Sequence, residues 1–214
     1  MVDPEVPLRT PNQPVAAVLK HFVGNEQELD RATSLSNIDS RTLHQVYNLP
    51  FEIADDIGQP AGVMCGYNQL NGTYSCENPA LLTTYLRQEM GFDGFVVTDN
   101  GSQHSTAASL NAGLDQELSL PLYFTPANLH AALDAGDITE AQIRAAALRV
   151  VRAKFANGAF DHRASTIARS GRAGERDDRG GEGCDQLIGP VERGSCPDLP
   201  KSGRPLPRLR WRIR

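Results

Sequence analysis

A parallel α/β fold is predicted by three short apolar runs, by helices with readable ends between them, and by polar residues where each run stops. The runs are residues 15–23 (VAAVLKHFV), 61–68 (AGVMCGYN) and 94–99 (GFVVTD). Each is bounded by Gly, Pro or polar clusters, as strands buried on both faces are. Residues 114–118 form a fourth candidate strand. Between them, Asp39 is placed to cap a helix carrying Leu43, Val46, Tyr47, Ile53, Ala54 and Ile57, which Pro50 kinks or divides and Gly58 stops. Asn78 followed by Pro79 starts the next helix, since proline at the first helical position gives up no needed hydrogen bond. That helix carries Leu81, Leu82, Tyr85 and Leu86 on one stripe and ends at Gly91. Thr139 and Gln142 have the spacing of a capping box, and the helix they open places Ile143, Ala146, Ala147, Val150, Val151 and Phe155 on one face.

Parallel α/β folds build their sites at the carboxyl ends of the strands. Lys20 and His21, Tyr67 and Asn68, and Asp99 and Asn100 gather there, so one shared site is expected. The charge distribution limits what that site can take. Residues 1–162 hold 9 Lys/Arg against 19 Asp/Glu, and residues 163–214 hold 12 against 7. An acidic body argues against nucleic acid or an anionic membrane as partner, because phosphate binding needs a cationic face. No window is apolar for the ~18 residues a membrane span needs. Residues 1–14 have four prolines, two acids and no apolar core, so they read as an irregular segment and not as a secretory signal; a longer parent is still open to secretion. From residue 163 the chain turns to Arg, Gly and Pro without periodicity and reads as a disordered tail. The cysteine spacings, Cys65 to Cys76 and Cys184 to Cys196, do not fit a zinc site. For Cys65 and Cys76 the spacing fits either a disulfide or two buried thiols.

The strand ends form an ordered series: KHFVGNEQE from Lys20, SNIDSRTLHQVYNLPFE from Ser36, GVMCGYNQLNG from Gly62, CENPALLTTYLRQEMGFDGFVVTD from Cys76 and AGLDQEL from Ala112. In this order and spacing, residues 15–162 resemble the second half of the N-terminal barrel domain of glycoside hydrolase family 3, the β-glucosidase and β-xylosidase type. The resemblance implies a partial (β/α)8 barrel, about the last four β/α units. It also implies retaining hydrolysis of a terminal β-linked sugar on an oligosaccharide or β-glycoside, with no metal or cofactor. Asp99 takes the nucleophile's position. Lys20 and His21 match the pair that grips the sugar's hydroxyls. Arg31 and Tyr67 match groups supporting the nucleophile, and Met64 a subsite wall. By default Arg31 is also placed to pair with Glu28 or Asp30, and Met64 to pack in the core. Asp115 and Glu117 are expected to orient neighbours or close the barrel, and Gln103 and His104 to border the pocket or lie on a helix surface.

The chain departs from the family pattern in places. Asn100 stands where an aromatic residue usually follows the nucleophile. Val23, Gly24 and Asn25 replace the Pro-Gly-His continuation of the family's N-acetylhexosaminidase branch, which disfavours that chemistry. A complete barrel takes ~250 residues, and the family's acid/base glutamate lies in a later domain with no visible equivalent here. The text from residue 163 onward fits a shift of reading frame. The competing expectation is an inactive, truncated sugar-binding remnant.

Overall fold

The computed structural model describes residues 15–160. They belong to one compact unit. Three parallel strands make the main sheet: β1 (Val18–Phe22), β3 (Gly62–Cys65) and β6 (Phe95–Thr98), in the order β1-β3-β6. Val63 pairs with both Leu19 and Val96, and Cys65 with both Phe22 and Thr98, so the strands end level. The β1 pairing shifts register between Leu19 and Phe22, where the Lys20–His21 and Phe22–Val23 peptide bonds are cis. The fourth candidate strand is a correction. Residues 114–118 contribute one parallel bridge, Val97 to Gln116, held by Thr98 N–H on the Gln116 carbonyl at 3.1 Å. Asp115 turns its side chain back onto Val96 N–H at 2.8 Å, and Ser119 adopts φ +70°, so the extended pairing stops.

The helices begin where local chemistry places them. Asp39 accepts from Thr42 N–H at 3.0 Å and opens α1 (Ser40–Thr42). The chain continues as a π-helical segment (Leu43–Asn48) and then α2 (Leu49–Gly58). Pro50 therefore divides the helix by changing its type. The wide turn precedes it, and proline falls in the first turn of α2, where an N–H has no intrahelical partner. Gln59 ends α2 in a left-handed conformation, φ +46°. Asn78 Oδ1 accepts from Leu81 N–H at 3.2 Å and starts the helix Ala80–Glu89, a π-type helix with Leu81, Leu82, Tyr85 and Leu86 all buried. Gly91, at φ +75°, follows its end. After β6 come α3 (Ala107–Ala112), α4 (Pro126–Ala135) and α5 (Glu140–Ala156). The capping box of Thr139 and Gln142 is complete, and Ala146 is buried, but Val151 and Phe155 lie exposed.

Phe22, Val63, Leu82, Leu86, Phe92, Val96 and Leu114 form the main core, with Phe51 edge-on to Phe22 at 4.9 Å. A second small sheet, β2 (Leu35–Ser36), β4 (Gln69–Leu70) and β5 (Thr73–Tyr74), lies outside the expected elements. Its β4–β5 hairpin turns through Asn71 at φ +51° and Gly72 at φ +89°, the pair a tight hairpin of this twist favours. Among the described residues, no helix is long and apolar enough to cross a membrane.

Candidate active site

Level strand ends bring Lys20 and His21 on β1, Tyr67 just past β3, and Asp99 just past β6 to one rim. His21 Nε2 meets Asp99 Oδ2 at 2.7 Å, and the Asn100 N–H donates to Asp99 Oδ1 at 2.6 Å. The carboxylate side chain is 16% exposed, so it is partly dehydrated yet still reachable. Burial alone would push its pKa up. The Asn100 N–H, the His21 hydrogen bond and the charges of His21 and Lys20 outweigh that and hold it below 3.8, the ordinary value. Asp99 is therefore an anion at neutral pH.

Tyr67 donates its hydroxyl to the Asn100 carbonyl at 2.7 Å. Burial and the neighbouring Asp99 raise its pKa, against the opposing charge of Arg31, so the phenol keeps its proton. Arg31 lies over the Tyr67 ring, 4.3 Å from guanidinium carbon to centroid, while its Nη1 pairs with Glu28 at 3.0 Å. The expected surface pairing of Arg31 with Glu28 is thus present together with a contact to the Tyr67 ring. Met64 sits inside β3 opposite Val97, half-buried. Among the described residues it takes no part in these hydrogen bonds, ion pairs or ring contacts.

The surrounding residues fix the rim. Asn68, fully buried, shares its two amide protons among the Val23 carbonyl at 3.2 Å, the Gly24 carbonyl at 3.1 Å and Ser36 Oγ at 3.0 Å. It thereby ties the loop after β1 to the end of β3. Cys65 and Cys76 form a disulfide with Cα atoms 5.3 Å apart, settling the open choice between bridge and thiols. Asp115 accepts from Arg87, Arg149 and Val96 N–H, and Glu117 caps the backbone N–H groups of Tyr123 and Phe124. His104 stacks on Tyr74 with centroids 3.6 Å apart. Gln103 is buried, and its amide donates to the Ser105 carbonyl at 2.8 Å. Among the described residues, no group of three or more His, Cys, Asp or Glu side chains is arranged to hold a metal ion.

A parallel sheet with a hydrogen-bonded, ionised aspartate at its carboxyl rim defines a carboxylate-centred α/β site. The chain matches the model of the glycosyl hydrolase family 3 N terminal domain over residues 9–153 and belongs to that family. It is 46% identical over 150 residues to a beta-glucosidase of Rhizobium radiobacter, covering 70% of this chain and 18% of that protein. Among solved structures, the beta-glucosidase of Bifidobacterium adolescentis superposes with a TM-score of 0.65 at 36% identity, covering 71% of this chain and 22% of that one. The Kluyveromyces marxianus beta-glucosidase in complex with glucose gives 0.66 at 31% identity, covering 69% and 18%. The chain thus spans about a fifth of the length of the relatives it matches.

Proposed function

We propose that this chain carries the nucleophile-bearing part of a retaining β-glycosidase, with a terminal β-glucoside or related β-glycoside as substrate. The observation that carries the reading is the Asp99 carboxylate, ionised and held by His21 and Asn100 at a shared strand end. In this mechanism Asp99 attacks the anomeric carbon and forms a glycosyl ester, which water then hydrolyses. Lys20 and His21 grip sugar hydroxyls through hydrogen bonds that strengthen as the ring distorts. Tyr67, braced by Arg31, holds the peptide that follows the nucleophile. Met64 lines the subsite next to them.

A retaining enzyme needs a second carboxyl group ~5–5.5 Å from the first. Among the described residues, the groups that hold Asp99 are His21, Asn100, Lys20 and Tyr67, and none carries a carboxyl group. We assign the acid/base to polypeptide outside this chain, and we read residues 15–162 as the last four units of a (β/α)8 barrel, with residues 1–14 and 163–214 flanking it. Among the described residues β1 is an edge strand of the main sheet, which supports the partial-barrel reading. A groove of about 640 Å³ beside it is lined by Leu19, Val46, Leu49, Ile53 and Ile57, an apolar face suited to further β/α units. The alternative, an inactive sugar-binding remnant, shares this site without turnover.

The test is an assay with a chromogenic β-glucoside, first on the chain alone and then with the absent barrel and acid/base segments of a relative supplied in trans. Slight turnover alone and a large gain on complementation are expected. Robust turnover by the chain alone contradicts the missing acid/base. Sugar binding without any gain favours the remnant.

A further inference from the structure

We propose that Ser102, seated on the Cys65–Cys76 disulfide, is a positioning residue for the Asp99 carboxylate. The inference rests on the nucleophile reading above and adds to it the device that aims the nucleophile.

Asp99 to Ser102 is a tight turn. The Ser102 N–H donates to the Asp99 carbonyl at 3.2 Å, and Gly101 takes φ +76°, a conformation L side chains rarely adopt. Ser102 closes the turn a second time, with its hydroxyl donating to the same carbonyl at 3.2 Å. The side chain is fully buried, and its Oγ lies 3.3 Å from Cys76 Sγ. A disulfide sulfur carries no proton, so it cannot donate to Ser102. The Asp99 carbonyl is a much stronger acceptor than sulfur, so the single hydroxyl proton goes to it, and the sulfur packs as a wall behind the oxygen.

That wall is itself fixed. Cys65 ends β3 and pairs with Thr98, the residue before Asp99, so the disulfide spans from the sheet to the underside of the turn. Tyr67 also holds the turn, through the Asn100 carbonyl at 2.7 Å. With both carbonyls held, the Asn100 N–H is pointed at Asp99 Oδ1, and Oδ2 is left to His21. Removing the Ser102 hydroxyl leaves the fold's strands and core untouched but frees one side of this clamp. A nucleophile misplaced by 1 Å loses about 10²-fold in rate, and a loosened turn with its N–H closure intact is expected to lose less.

The test uses the whole chain as wild type, Ser102→Ala, Ser102→Thr and Cys65→Ala/Cys76→Ala. Two readouts are taken: the carboxyl titration of Asp99 by carbon-13 NMR, and the rate of covalent labelling by 2-deoxy-2-fluoro-β-glucosyl fluoride. In labelling, an Asp99 oxygen bonds to the anomeric carbon as the carbon–fluorine bond breaks and fluoride departs. No acid is needed for that leaving group. Ser102→Ala is expected to raise the Asp99 midpoint toward the ordinary value and to slow labelling about tenfold, one decade short of the full misplacement effect. The double cysteine variant is expected to shift both readouts in the same direction by less, and Ser102→Thr, which keeps the hydroxyl, to restore them. An unchanged Asp99 midpoint in both Ser102→Ala and the cysteine variant overturns the role of Ser102, even if their melting temperatures fall. Absence of label on wild type counts against the nucleophile reading instead, and the titration still decides the role of Ser102.

Discussion

Asp99 and Asp115 lie on neighbouring segments at the β6 edge, and they spend their oxygens differently. Asp115 is fully buried. One oxygen takes Arg87 Nη2 at 2.7 Å and Val96 N–H at 2.8 Å, and the other takes Arg149 Nε at 2.9 Å and Nη2 at 2.6 Å. Nothing remains for a ligand, and the group can only lock β6 to α5 and the Ala80–Glu89 helix. Asp99 has His21 and Asn100 as its hydrogen-bond partners, keeps 16% of its side chain open, and faces the strand ends. Burial and strong pairing mark the structural carboxylate. Partial exposure with a depressed pKa marks the candidate for chemistry.

Substitutions at the two positions should therefore fail in different ways. Asp99→Asn is expected to abolish covalent labelling by the fluoro-sugar while leaving the melting temperature nearly unchanged. A comparable loss of stability would put Asp99 in the same structural class as Asp115. Asp115→Ala leaves two guanidinium groups near a buried void and is expected to destabilise the fold by about 3–5 kcal/mol, measured by denaturant unfolding. A change below 1 kcal/mol would mean that water reaches the cluster.

The pH profile sharpens the contrast. Because the folded-state pKa of Asp99 is depressed, its stabilising contribution is present above the unfolded value and is lost as pH falls through the folded one. Labelling by wild type should thus persist with falling pH to below 3.8, the ordinary aspartate value. In His21→Ala the acid limb should move upward, since one hydrogen bond and one nearby charge are gone. A limb that stays in place would show that Asn100 and Lys20 set the anion without His21. The smallest effect belongs far from both aspartates. Thr139→Ala removes the α5 cap and is expected to cost about 1 kcal/mol without changing labelling, as thermal unfolding and the same rate assay will report.

Much of this arrangement was legible in the sequence because its causes are local. Asp39, Asn78 and the Thr139–Gln142 box each cap a helix through hydrogen bonds three residues long, so spacing alone reveals them. Strand ends were legible because each apolar run carries polar residues at or near its end: Lys20 and His21, Tyr67 and Asn68, and Asp99. The Asn71-Gly72 hairpin was also written locally, yet it lay inside a segment read only as a motif. Asn68 and Ser102 were not legible in their roles. Asn68 acts on a carbonyl 45 residues away, and Ser102 packs on a sulfur 26 residues away, distances that no periodicity encodes. The Cys65–Cys76 choice was open for the same reason, because an 11-residue separation permits a bridge without requiring one. Val151 and Phe155 lie exposed although they belong to the apolar face expected of α5, because amphipathicity specifies a face but not what covers it.

The most direct test of the account is peptide mapping of the wild-type chain after exposure to 2-deoxy-2-fluoro-β-glucosyl fluoride. The account expects one fluoroglucosyl group, carried as an ester on Asp99 in the peptide that contains residues 94–99. A label carried by any other residue, with that peptide unmodified, would contradict it.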